Sequence, residues 1–219
     1  GISTFRDAGG LWDRYPVEQV ATPEGYQRDP ALVINFYNER RKQLLKVKPN
    51  RGHELLAELE KNFHVTVVTQ NIDNLHERAG SSHIIHLHGE LTKVCSSRDP
   101  HNPHYIKELK PEEYEVKMGD KAGDGTQLRP FIVWFGEAVP EIETAIQYVE
   151  KADIFVIIGT SLAVYPAASL LHYAPEGIPV FVIDPKIPQQ AHRMGYHLIE
   201  KGASEGVQEL KNILLSETR

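Results

Sequence analysis

Cysteine is almost missing from this chain of 219 residues, with Cys95 the single example. No internal disulfide can form, and a metal site built from several thiolates is excluded. A basic surplus is also missing: 24 lysines and arginines face 30 aspartates and glutamates, for a formal charge of -6. Phosphate backbones want a positive surface, so no nucleic acid is expected as the main partner. No apolar run approaches the ~20 residues that a bilayer-spanning helix requires. No membrane association is expected, no secretory leader is visible, and a cytoplasmic setting is the default. Internal repeats are lacking as well. What is present is 41% hydrophobic and 25% charged residues, the balance of a soluble globular protein with one sizeable core.

Three segments read as buried strands: His64–Thr69, Ile154–Ile158 and Val180–Ile183. Each is a short β-branched or aromatic run, as in a parallel sheet covered on both faces. Helical spacing lies between them, over Ala31–Leu45, Arg51–Phe63 and Glu141–Ala152. The second places Leu55, Leu56, Leu59 and Phe63 on one stripe. This alternation predicts an α/β fold, a doubly wound Rossmann-like parallel sheet. In such sheets ligands sit beyond the carboxyl ends of the strands. Those ends read Gln70-Asn71-Ile72-Asp73, Gly159-Thr160-Ser161 and Asp184-Pro185. Residues 92–129 keep no strong period and hold a charged stretch and a Gly/Asp-rich run. They are expected to form a small inserted lobe, with 1–91 and 130–219 making the Rossmann-like domain.

Five segments, in order, carry a resemblance. They are Gly1–Arg6 (GISTFR), Thr69–Asp73 (TQNID), His86–Glu90 (HLHGE), Val133–Glu137 (VWFGE) and Gly159–Ser161 (GTS). Together they resemble the sirtuin family, whose members consume NAD to remove acyl groups from protein lysines. The resemblance implies NAD as co-substrate and acylated lysine peptides as partners. Nicotinamide and O-acyl-ADP-ribose would be the products. Two alternatives stay open: a protein ADP-ribosyltransferase, and a non-catalytic module that binds nucleotide or acyl-peptide. The family's first strand and its Gly-Ala-Gly-x-Ser phosphate turn would precede Gly1 and are expected to be absent. A monomer is expected, although the sequence leaves the oligomeric state open.

By resemblance, His88 is the general base. Imidazole suits that task because its ordinary pKa lies near neutrality. Gly89 would allow a close backbone approach. Asn71, with Gln70, Ile72 and Asp73, would meet ribose and nicotinamide, for which amides and a carboxylate are apt. The bland reading of Asp73 is a helix cap. Gly1, Ile2, Phe5 and Arg6 are placed on the cofactor, the ring shielding the reactive ribose. Gly159, Thr160 and Ser161 would contact phosphate or ribose. Ile183, Asp184, Pro185 and Ala203 would lie at the adenosine end. His86 would share a face with His88 in an extended segment and is given no catalytic role.

Val133, Phe135, Gly136 and Glu137 on one side, and Leu162 and Val164 on the other, resemble the two edges that clamp a substrate peptide as an added strand. Tyr37 and Arg40, three apart on a predicted helix, share a face. A similar pair occurs in bacterial and mitochondrial sirtuins that accept acidic acyl groups, so succinyl- or malonyl-lysine is expected beside acetyl-lysine. Most sirtuins also hold a structural zinc between two Cys-x-x-Cys pairs. Here those places read Cys95-Ser96-Ser97-Arg98 and Gly123-Asp124-Gly125-Thr126. Zinc is not expected, because one thiol remains where four soft or imidazole ligands are wanted.

Overall fold

A computed structural model describes residues 14–160 and 165–217. The chain divides into two compact units. One comprises residues up to Lys48 with Thr69–Asn74 and His86–Val139; the other comprises Pro49–Val68, Leu75–Ile85 and everything from Pro140 on. Strands β1 (Val67–Thr69) and β2 (Ile84–His86) form a two-stranded sheet. Then come β3 (Gly89–Ser96), β4 (Lys107–Glu108) and β5 (Leu128–Ile132), arranged antiparallel in the order β4-β3-β5. Last come β6 (Phe155–Ile158), β7 (Val180–Ile183) and β8 (His197–Ile199), a parallel sheet in sequence order.

In the second unit the expected alternation of helix and parallel strand is present. Helix Arg51–Glu58 starts in a capping box, with the Asn50 side chain on the His53 N–H and the His53 ring on the Asn50 N–H. It presents Leu55 to a core of Phe181, Ile183, Ile199, Val207, Leu210 and Leu214. Each such side chain taken from water contributes about 1.5–3 kcal/mol. The helix ends at Glu58 in a 3-10 turn, Leu59–Lys61, earlier than the apolar stripe to Phe63 suggests. The strand read over His64–Thr69 begins only at Val67. β8 is short and apolar only at its end, so no strand signal marks it.

The first unit centres on helix Pro30–Leu44. The Asp29 carboxylate accepts from the Leu32 N–H at 3.1 Å and Pro30 takes the first helical position, which is why the helix starts there. Its Ile34 packs on Val94 of β3 and on Val116. Segment 92–129 therefore holds more regular structure than its sequence announces. The register of β3 on β5 shifts between Gly89 and Val94, and β5 carries Pro130. A bulge and a proline both interrupt alternation, and the proline is tolerated because β5 is an edge strand.

Candidate functional site

The loop after β1 is fastened by hydrogen bonds to the segment around His88. Leu87 N–H donates to the Thr69 carbonyl at 3.0 Å and Leu91 N–H to the Ile72 carbonyl at 2.8 Å. His86 Nδ1 lies 3.0 Å from the Asn71 carbonyl oxygen. The Asn71 N–H is held in turn by Thr69 Oγ1 at 3.0 Å, while its side chain is on an exposed residue. On the other side, Val133 N–H donates to the His88 carbonyl at 2.9 Å. Gln70, Asn71 and Ile72 thus meet His88 and the end of β5 within one unit.

His88 itself is half-buried, and burial pushes its pKa below the ordinary imidazole value. A hydrogen bond to the Gln70 backbone acts in the opposite direction and more weakly. The shift favours the neutral ring, the form a proton acceptor needs. The chain turns through Leu87 and His88 rather than continuing extended, so strand alternation does not put His86 and His88 on a common face. Gly89 takes a φ of 87°, and a Cβ there would collide with the Phe131 carbonyl oxygen. The tight fit is to the protein's own β5.

The stretch after β5 is braced from inside. Arg129 donates to both carboxylate oxygens of Glu137 at 3.1 Å, and its guanidinium lies 3.7 Å from the Trp134 ring centroid. Glu137 also accepts from the Trp134 N–H at 2.8 Å, so its carboxylate is engaged within the protein. Phe135 N–H donates to the Ala21 carbonyl at 3.0 Å and Glu137 N–H to the Trp134 carbonyl at 3.0 Å. The N–H donors of residues 133, 134, 135 and 137 are thus all used internally. The Phe135 side chain is 63% exposed and Gly136 is exposed.

Tyr37 is 2% exposed. Its hydroxyl donates to the Val20 carbonyl at 2.9 Å and accepts from Trp134 Nε1 at 3.1 Å, and burial raises its pKa. The proton expected for an acyl carboxylate is therefore already committed. Arg40 differs: its Nε and Nη1 are buried with no hydrogen-bond partner among the described residues. Its guanidinium carbon lies 5.2 Å from the Phe36 ring centroid.

The second unit contributes a separate set of candidates. Parallel register aligns Ile158 with Ile183 and Ile183 with Ile199, so β6, β7 and β8 end at one sheet edge. Gly159, at φ 64°, turns the chain off β6 and donates to the Ile183 carbonyl at 2.9 Å. Thr160 follows it. Asp184 Oδ1 accepts from the Lys186 N–H at 2.8 Å, Pro185 is exposed, and Ala203 opens the helix Ala203–Ser216 just past β8. The Ile183 side chain is packed in the core, so only its main chain faces this edge. Gly1, Ile2, Phe5, Arg6, Ser161, Leu162 and Val164 lie outside the described residues.

Two contributors escape a reading of the sequence. His86 braces Asn71, and Arg129 anchors Glu137 and stacks on Trp134. Arg129 did leave a signal: an arginine between apolar strand residues must find a carboxylate if it is buried.

A sequence profile of the Sir2 family matches residues 1–166. The chain belongs to the Sir2 family, the sirtuins. An NAD-dependent protein deacylase of Bacteroides thetaiotaomicron is 84% identical over 215 residues, covering 98% of this chain and 92% of that one. Another from Helicobacter pylori is 48% identical over 210 residues, covering 96% and 89%. A solved Sir2 homologue in complex with NAD matches with a TM-score of 0.83 at 35% identity, over 100% of this chain and 85% of that one. A second, holding ADP-ribose, matches with a TM-score of 0.81 at 36% identity, over 98% and 87%.

Proposed function

We propose that this protein removes acyl groups from lysine side chains of other proteins, with NAD as the consumed co-substrate. The observation that supports this most directly is the half-buried imidazole of His88 with its lowered pKa, hydrogen-bonded to the loop that carries Gln70 and Asn71. In this reading nicotinamide leaves the ribose and the acyl oxygen bonds to the vacated anomeric carbon. His88 takes a proton from a ribose hydroxyl, whose oxygen then attacks the imidate carbon. Water completes the transfer, releasing free lysine and O-acyl-ADP-ribose. Asn71 and Asp73 position nicotinamide and ribose, and within the second unit Gly159, Thr160, Asp184 and Ala203 are the nucleotide candidates. The scheme needs a neutral base, and that fixes a pH dependence. Activity should be kept above the His88 pKa and lost as pH falls through it. The acid limb of kcat/KM is therefore expected to have its midpoint below the ordinary imidazole value of about 6.5. A midpoint at or above that value would contradict the assignment.

Acidic acyl groups belong to the same proposal. Buried N–H donors left without a partner among the described residues are costly, and an acyl carboxylate would satisfy one of the Arg40 donors. With the Tyr37 proton engaged by Val20, recognition rests on Arg40 and Tyr37 forms a wall beside it. Losing a charge-assisted hydrogen bond worth about 1.5–3 kcal/mol, Arg40→Met should lower the succinyl-to-acetyl activity ratio roughly 10- to 100-fold. Steady-state kinetics on matched peptides reads the ratio, and an unchanged one removes Arg40 from selectivity. Dependence on NAD and a lone cysteine held as a thiol fit the cytoplasm. No described helix is long and apolar enough to cross a membrane.

A further inference from the structure

The family's structural zinc does not suit the residues found here. Cys95 is fully buried and its thiol points at the Pro130 carbonyl at 3.7 Å. Cys95 and Ser96 are consecutive in β3, so their side chains leave opposite faces of the strand. A thiol on one face cannot join donors on the other. No three ligand atoms from His, Cys, Asp or Glu within residues 92–129 gather at metal-binding distance.

Something else joins the two places where paired cysteines would stand. We propose that a hydrogen-bonded clamp centred on Ser96, reaching Asp124 and Thr126, closes this lobe in place of a metal. Ser96 is fully buried. Its hydroxyl donates to Asp124 Oδ2 at 2.5 Å and accepts from the N–H groups of Arg98 at 3.1 Å and Asp99 at 2.9 Å. One donor and two acceptor sites are all a serine hydroxyl has, and all are used. The other carboxylate oxygen, Asp124 Oδ1, takes the Thr126 hydroxyl at 2.6 Å and the Thr126 N–H at 3.1 Å. Thr126 Oγ1 also lies 3.0 Å from Ser96 Oγ. The next residue repeats the link: Ser97 Oγ donates to the Gln127 carbonyl at 2.5 Å and meets the Tyr26 hydroxyl at 2.8 Å. An ionised carboxylate accepting several hydrogen bonds makes each of them shorter and stronger than a neutral pair would.

The position of the clamp matters to the rest of the unit. Ser96 pairs with Leu128 at one end of the β3–β5 ladder, and Gly89 pairs with Ile132 at the other. That other end carries His88 and Val133. The clamp therefore holds the ladder at the end away from the base.

The test uses the unaltered protein first. Elemental analysis is expected to give less than about one-tenth of a zinc per chain, and prolonged chelation is expected to leave the melting temperature unchanged. Ser96→Ala should lower the melting temperature by several degrees and speed amide exchange at Arg98, Asp99 and Thr126 by at least about tenfold. Should Ser96→Ala fail to fold, Asp124→Ala, at a partly exposed position, is expected to give the same local acceleration. Close to one zinc per chain, stripped by chelator with loss of melting temperature, overturns the clamp. So does Asp124→Ala with exchange at those amides unchanged.

Discussion

His88→Ala should cut NAD-dependent deacylation by about 10²- to 10⁴-fold, the usual worth of a positioned general base. Binding of NAD and of acylated peptide should survive, because the His88 side chain contributes only its bond to the Gln70 backbone and the other hydrogen bonds that hold the neighbouring loop do not use it. Leu87, Leu91 and His86 fasten residues 69–72, and the His88 carbonyl that receives Val133 is main chain. Calorimetry for binding and a deacylation assay for turnover therefore separate the two effects. Lost turnover with retained binding is the expected pattern. Turnover within a few-fold of the unaltered protein would remove the imidazole from the chemistry.

The second large effect concerns stability. Arg129 is 5% exposed and its partner Glu137 has only 15% of its side chain accessible. Arg129→Met leaves a largely buried carboxylate without its cation, at a cost of about 3–5 kcal/mol. The stacking of the guanidinium on Trp134 is lost as well. A double change, Arg129→Met with Glu137→Leu, should recover part of that loss, because it removes the stranded charge rather than exposing it. Urea denaturation of the single and double variants gives the comparison. If the single variant loses less than about 1 kcal/mol, the pair does not hold residues 133–137 in place.

The parts legible in the sequence are those with local causes. β6 and β7 announce themselves because Phe155–Ile158 and Val180–Ile183 are unbroken apolar runs. The helix at Pro30 is legible because its cap and its proline are adjacent in the chain. β8 is not, since three residues with one strongly buried member make no pattern. The β3–β5 ladder is hidden by its bulge and by Pro130. The same distinction holds at the site. His88 and Asn71 stand out through the short motifs around them. The bond from His86 to Asn71 spans 15 residues and that from Ser96 to Asp124 spans 28. Such partners are chosen by the fold, and neither residue type reveals in advance which one it will find.

The internally satisfied donors of residues 133, 134, 135 and 137 bear on target choice. With those N–H groups spent, an incoming segment meets carbonyl oxygens, the backbone at Gly136 and the uncovered face of Phe135. If this stretch is the peptide edge proposed for it, such a rail would grip an extended polypeptide by its repeating amide whatever its side chains. Discrimination would then fall to the modified lysine itself and to whether the surrounding region of the target is loose enough to lie flat.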